Sequence, residues 1–348
     1  MRNVVLFVAT LIAATLVPQS APKSPAAGAA DLPAGVKPKV LLLIFDPPVE
    51  SEGRKRLHEV MHWSDPEWNS KEYAADLKEC SGGYADYQIV ETVEVDEYPV
   101  KKDGFRYDFA GLRDVMAGKQ PHHDPDAIDY LAILKQFDVA ARVDKGEIDE
   151  LWLQMMPYSG SWESTMAGDG AYFCNSDPLP GVKCSRSFIV MGFNYERGVG
   201  EMLEDYGHRT ESILTHVFGG WDAAKKKTAW DRFTLYDKIA PGEAACGNVH
   251  FAPNSTGDYE WGNATPVLSN CDDWLNYPDL RPDLKGTKRT VTCADWGNGN
   301  IRLHHKWWLS HLPRAAGSSD GKLNHWWAYT ADFNRWPESN GRAPAPKK

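Results

Sequence analysis

The chain has 348 residues, 42% of them hydrophobic and 25% charged, with a formal net charge of −10. That balance excludes a disordered or coiled-coil chain and supplies a core for one large domain or two ordinary ones. Its acidity argues against nucleic acid or polyphosphate as a partner.

At the start, Arg2 precedes an apolar run from Val4 to Val17 that Pro18 ends, and small residues follow at Ala26–Ala30. A run this short with that flank predicts a secretory signal peptide over residues 1–30, with an uncleaved anchor as the alternative. The expected location is therefore extracellular or periplasmic. No later segment approaches eighteen consecutive apolar residues, so no membrane span is expected in the mature chain. Residues 31–38 predict a disordered lead-in, 39–220 an α/β domain, and 221–340 a Trp-rich, disulfide-braced cap packed on the sheet edge.

The unbroken apolar run Val40–Phe45 suits a strand buried on both faces. Asn69, with Glu72 three residues on, predicts a helix start, and Gly82-Gly83 its stop. Tyr87–Val95 reads as a strand nearer an edge. Asp124-Pro125 predicts a helix whose Ile128, Leu131, Leu134 and Phe137 recur at helical spacing. Two more buried strands follow, 148–156 and 188–193, and then a helix from Gly198 to Phe218 closed by Gly219-Gly220. Alternation of strand and helix predicts an α/β fold: a mostly parallel sheet flanked by helices. From Trp221 onward the long apolar runs vanish, and ten of the fourteen Trp lie there. That texture predicts the loop-rich, Trp-rich C-terminal cap or subdomain.

Six cysteines in an exported chain predict disulfides. Cys174 and Cys184 flank a Pro/Gly loop and form the natural local pair, while Cys80, Cys246, Cys271 and Cys293 cannot be paired by spacing.

Four groups of residues carry candidate chemistry. His58-Glu59-Val60-Met61-His62 matches H-E-x-x-H, which on a helix sets two imidazoles toward a Zn²⁺ with Glu59 as base. Its charged flank, Arg54-Lys55-Arg56, and its place after the first strand favour a solvated turn instead. Glu201, Glu204, His208 and Glu211 fall within about 80° of one another on the later helix. Such a stripe suits a divalent cation, Zn or Ca, held by His208 and Glu211, or simply the wet side of a surface helix.

The third group follows from topology, since parallel sheets bind ligands beyond their C-terminal strand ends. Asp46, Glu163, Glu196 and Arg197 sit at those ends, and Glu163 with Glu196 predicts the paired carboxylates of a glycoside hydrolase. His208 and Glu211 would support them. Asp46 and Arg197 would meet substrate, as would the fourth group, Trp307, Trp308, Trp326 and Trp327, by stacking on sugar faces. The expectation is a secreted hydrolase acting on a glycan or other extracellular polymer. The alternatives are a zinc metallopeptidase built on His58, Glu59 and His62, and a non-catalytic glycan-binding protein.

Overall fold

A computed structural model describes residues 32–281 and 286–342. The expected signal peptide lies outside the described residues. Inside the segment read as a lead-in, the Val36 N–H already donates to Tyr84 O at 2.7 Å, and the Asp86 N–H donates back to Val36 O.

Eleven strands and nine α-helices follow in chain order among the described residues. Strand β1 is Lys39–Phe45, and β2 (Pro48–Val49) and β3 (Lys55–Arg56) form a small antiparallel ribbon. Helices α1 (Leu57–Met61) and α2 (Pro66–Cys80) come next, then β4 (Gln88–Val95). Three helices, α3 (Phe109–Met116), α4 (Tyr130–Gln136) and α5 (Val139–Asp144), lead to β5 (Glu150–Met155), β6 (Ser164–Ala167) and β7 (Phe188–Asn194). The long helix α6 is Val199–Phe218, and α7 is Ala229–Phe233. Last come the ribbon β8 (Val267–Ser269) with β9 (Arg289–Val291), helix α8 (Ile301–Ser310), the hairpin β10 (Arg314–Ser319) with β11 (Lys322–His325), and α9 (Trp327–Ala331).

The central sheet runs β4-β1-β5-β7-β6. Every pair is parallel except β6 on β7, an antiparallel edge that sequence patterning does not single out. The expected mostly parallel sheet with helices is therefore present. Side chains alternate across it, as the pleat requires. Val40, Leu42, Ile44, Trp152, Met191 and Phe193 face α2 and α6, while Leu41, Leu43, Leu151, Leu153 and Val190 face α3, α4 and α5.

Two helix starts differ from expectation. Helix α2 begins at Pro66, because Asp65 accepts from the Trp68 N–H and Pro66 takes the first helical position, where its missing N–H costs nothing. Asn69 is buried one turn inside. Helix α4 starts at Tyr130, capped by Asp129 accepting from the Ala132 N–H.

The residues past 221 share the first of the two cores, where α8 packs on α6 and α2, and α9 packs on α6. At the join, Arg209 of α6 is fully buried, donating to both Glu150 carboxylate oxygens at 2.7 and 2.5 Å and to Thr330 O at 2.8 Å. Arg209→Met strands a buried carboxylate and is expected to cost about 3–5 kcal/mol, read as a lowered denaturation midpoint. Adding Glu150→Leu should recover much of that loss, because the buried charge then goes too.

The thiols of Cys174 and Cys184 belong to cores on opposite faces of the sheet. Cys174 lies by Ser164 and Cys184 donates to Asp144, which separates the expected local pair.

Candidate functional site

Helix α6 holds twenty residues because Glu201 folds back onto the Gly198 N–H at its start and Gly219, at φ 75°, ends it in the left-handed conformation. Its first half faces the C-terminal ends of β5 and β7. Glu204, His208 and Glu211 recur at i, i+4 and i+7, so they share one face, and Asp205 turns toward the sheet ends.

Opposite that face lies the segment from Gly247 to Tyr259. It comes close because Gly207 has no side chain: a Cβ there would stand 2.5 Å from Val249 Cγ2. Glu211 fixes the approach, with Oε1 accepting from the Val249 N–H at 2.9 Å and Oε2 standing 3.0 Å from His208 Nδ1.

The two elements together bring two imidazoles face to edge. His208 Nε2 and His250 Nε2 are 3.0 Å apart, and Glu204 Oε1 lies 3.9 Å from the first and 3.5 Å from the second. Each ring's other nitrogen meets a carboxylate, His208 at Glu211 and His250 at Asp258, 3.0 Å away. A carboxylate on Nδ1 holds a proton there, so a ring that yields its other proton to an incoming cation turns an Nε2 lone pair to the centre. Two lone pairs and a carboxylate oxygen thus converge within 4.8 Å. The Tyr259 hydroxyl lies at the rim of this group, 3.0 Å from His250 Nε2.

Charge in this pocket is strongly coupled. Burial by itself would lower the His208 pKa, but hydrogen bonds to Glu204 and Glu211 override it and raise it to about 10. His250 is raised by Glu204 against its burial. Burial acts to raise Glu204, yet both imidazoles hold it well below the usual carboxylate range. The centre draws positive charge. Asp205, by contrast, is pushed well up by burial and by the nearby charges of Glu163 and Glu204.

Beside the centre a cleft of about 190 Å³ opens at the strand ends, lined by Tyr158, Ser161, Glu163, Asn194, Arg197 and Asp205 among others. The cleft predicted from topology therefore contains Glu163 and Arg197. It does not contain Glu196, which is exposed, with Asp205 taking the place beside Glu163. Asn175 donates to Glu163. Asp46 also points elsewhere, accepting from the His58 backbone N–H and meeting His58 Nδ1 at 2.5 Å.

H-E-x-x-H does not assemble. Helix α1 has only five residues, and His62 leaves it at φ 56°, so the i and i+4 rings lie on different backbone conformations. His58 is spent on Asp46, while His62 is exposed. We expect His58→Ala and His62→Ala to leave the metal content of the purified chain unchanged, as measured by elemental analysis. Either variant losing metal would contradict this placement.

The four Trp expected to bind sugar are core or near-core residues. Trp308, Trp326 and Trp327 have no exposed surface, and Trp307 packs on Trp296 and His311. Loops short of aliphatic residues fill their interior with aromatic rings instead. The exposed aromatics are others, Phe173 and Trp221 bordering a recess of about 450 Å³ that adjoins His208 and Glu211, and Tyr158 and Trp162 by the cleft.

Of the site, sequence reasoning found His208, Glu211, Glu204, Glu163 and Arg197. It missed Asp205, Asp258 and Tyr259 and did not join His250 to the helix donors; no spacing signal links these to α6.

No family model, no curated protein and no solved structure matches this chain.

Proposed function

We propose that this protein is an exported, metal-dependent hydrolase of glycans, with Glu204, His208 and His250 as the ligands of one divalent cation. The observation that carries this reading is the pair of imidazoles, each with a carboxylate at Nδ1, whose Nε2 atoms converge with Glu204. Two imidazoles and one carboxylate suit Zn²⁺ and not the all-oxygen shell that Ca²⁺ prefers. They also leave the fourth position of a catalytic zinc site open. Glu211 is then an orienting carboxylate and not a ligand.

Such an ion, when bound, polarises a substrate oxygen and acidifies water. The chain supplies the rest. Glu163, held by Asn175, is placed to take a proton in the cleft, and Asp205 to give one to a leaving group, which keeps the paired-carboxylate logic with Asp205 in place of Glu196. Phe173 and Trp221 offer flat exposed rings next to polar groups, the combination that receives sugar faces. The segment past residue 221 acts as a cap in this proposal, since it contributes His250, Asp258 and Tyr259. The apolar run at Val4–Val17 supports export, where polymeric glycans are met.

Elemental analysis of the purified chain, beside a chelator-treated sample assayed on a polysaccharide panel, tests the proposal. One zinc per chain and turnover lost with the metal are expected. A chain without stoichiometric metal overturns the centre, and saturable glycan binding without turnover overturns the enzyme in favour of a binding protein.

A further inference from the structure

One pair of cysteines, Cys246 and Cys271, lies just beyond a backbone bridge that joins two segments of the chain. Ala244 and Ser269 form a parallel bridge, the Asn270 N–H donates to Ala244 O at 3.0 Å, and the Ser269 hydroxyl donates to Ala245 O at 2.8 Å. Cys246 and Cys271 each lie two residues beyond that bridge, Cys271 as the first residue of the 3-10 turn Cys271–Asn276. A disulfide needs their Cα atoms within about 7 Å of each other. The Cys246 thiol is 3.8 Å from the Cys271 carbonyl, and both residues are fully buried. The Cys271 thiol lies 3.5 Å from Asp272 Oδ1, and the other four thiols meet Lys306 O at Cys80, Ser164 at Cys174, Asp144 at Cys184 and Asn298 at Cys293, so the contact that joins two cysteines is the one between Cys246 and Cys271.

We propose that Cys246 and Cys271 are joined by a disulfide that clamps the base of the segment carrying His250, Asp258 and Tyr259. Forming it releases two protons and two electrons from the two thiols. An oxidant of the disulfide class accepts them, through a mixed disulfide, and leaves as two thiols. Burial lifts the Cys246 thiol well above its ordinary range and Cys271 to about 12. The bond therefore forms while the chain folds, and afterwards exchange partners do not reach it.

The crosslink has two consequences. It commits Cys271, and so removes the thiol from the trio Cys271, Asp272 and His311, whose carboxylate is in any case taken by Arg289. It also fixes the loop half of the site against α8, where Trp308 Nε1 donates to Gly247 O at 3.1 Å. The bond stands on the bridge beside it and on the contact between the two residues; only its effect on metal rests on the proposed centre.

The full chain, folded in a reduced and oxidised glutathione buffer, is alkylated after denaturation without reductant and mapped by peptide mass spectrometry. A linked pair of peptides bearing Cys246 and Cys271 is expected. Alkylation of both, or linkage of either to another cysteine, overturns the bond. In the Cys246→Ala, Cys271→Ala double variant, zinc should bind about tenfold more weakly, the scale of losing a supporting contact. A mapped bond with unchanged zinc affinity overturns the clamping role. A parent chain that binds no zinc overturns the metal centre, and the peptide map still decides the bond.

Discussion

His208→Ala and His250→Ala should each abolish stoichiometric zinc binding while leaving the fold intact. Each substitution removes one of three converging donors, and two donors do not hold a tetrahedral ion with an open position. Loss of a ligand should exceed the 10–100-fold typical of losing an orienting group. Glu211→Gln and Asp258→Asn supply that contrast, since each takes the carboxylate from an Nδ1 and frees the ring to turn. Titration of the metal-free chain with zinc, read by calorimetry, ranks the four variants. Thermal melts give a second reading: at a free concentration one hundred times Kd, zinc should stabilise the parent by about 2.7 kcal/mol and the alanine variants not at all. Glu201→Gln serves as the control, because its carboxylate accepts from the Gly198 N–H at the start of α6 and is not one of the three converging donors. If His208→Ala retained one zinc per chain, the assignment would fail.

Acidification should unfold this protein through buried histidines whose burial outweighs any nearby carboxylate. His325 is buried against Tyr84 and its pKa is lowered to about 4, chiefly by burial. His305 is lowered to about 4 and His304 further, again by burial. A histidine depressed in the folded state stays neutral there while the unfolded chain takes up a proton. Its stabilising share is present above the unfolded value near 6.5 and is lost as pH falls from there to about 4. For His325 that share is about 3 kcal/mol. Denaturant midpoints measured between pH 7 and 4 should therefore fall steeply. His325→Gln should flatten the curve over that window, whatever constant offset the substitution adds. An unchanged slope in the variant would show that His325 already titrates normally in the folded protein.

Much of the fold was readable along the chain because its determinants are local. Buried strands announce themselves as short apolar runs, so β1, β5 and β7 match expectation within a residue or two. Helix α6 is bounded by Gly198 and Gly219 and its polar face repeats at helical spacing, which is why Glu204, His208 and Glu211 were visible together. Where two start signals competed, as at Asp65-Pro66 and Asn69, local pattern did not decide. The proline's fixed backbone did. H-E-x-x-H failed for a similar reason: its four-residue spacing means two facing imidazoles only inside a helix, and α1 ends before His62.

The second half of the site had no such signal. His250 lies 42 residues from His208, and nothing in the spacing says that Gly207 lets Val249 sit against α6 or that Glu211 ties the two together. The tryptophans show the same limit, because composition tells that rings are many but not whether they face solvent or one another. From its sequence alone this chain determined a mostly parallel α/β sheet, the places of its central strands, and one face of donors on a helix. Only the tertiary structure decided which donors meet, which tryptophans are buried and which cysteines stand side by side. Secondary structure follows from neighbours a few residues apart, whereas the site is made by contacts between segments distant along the chain.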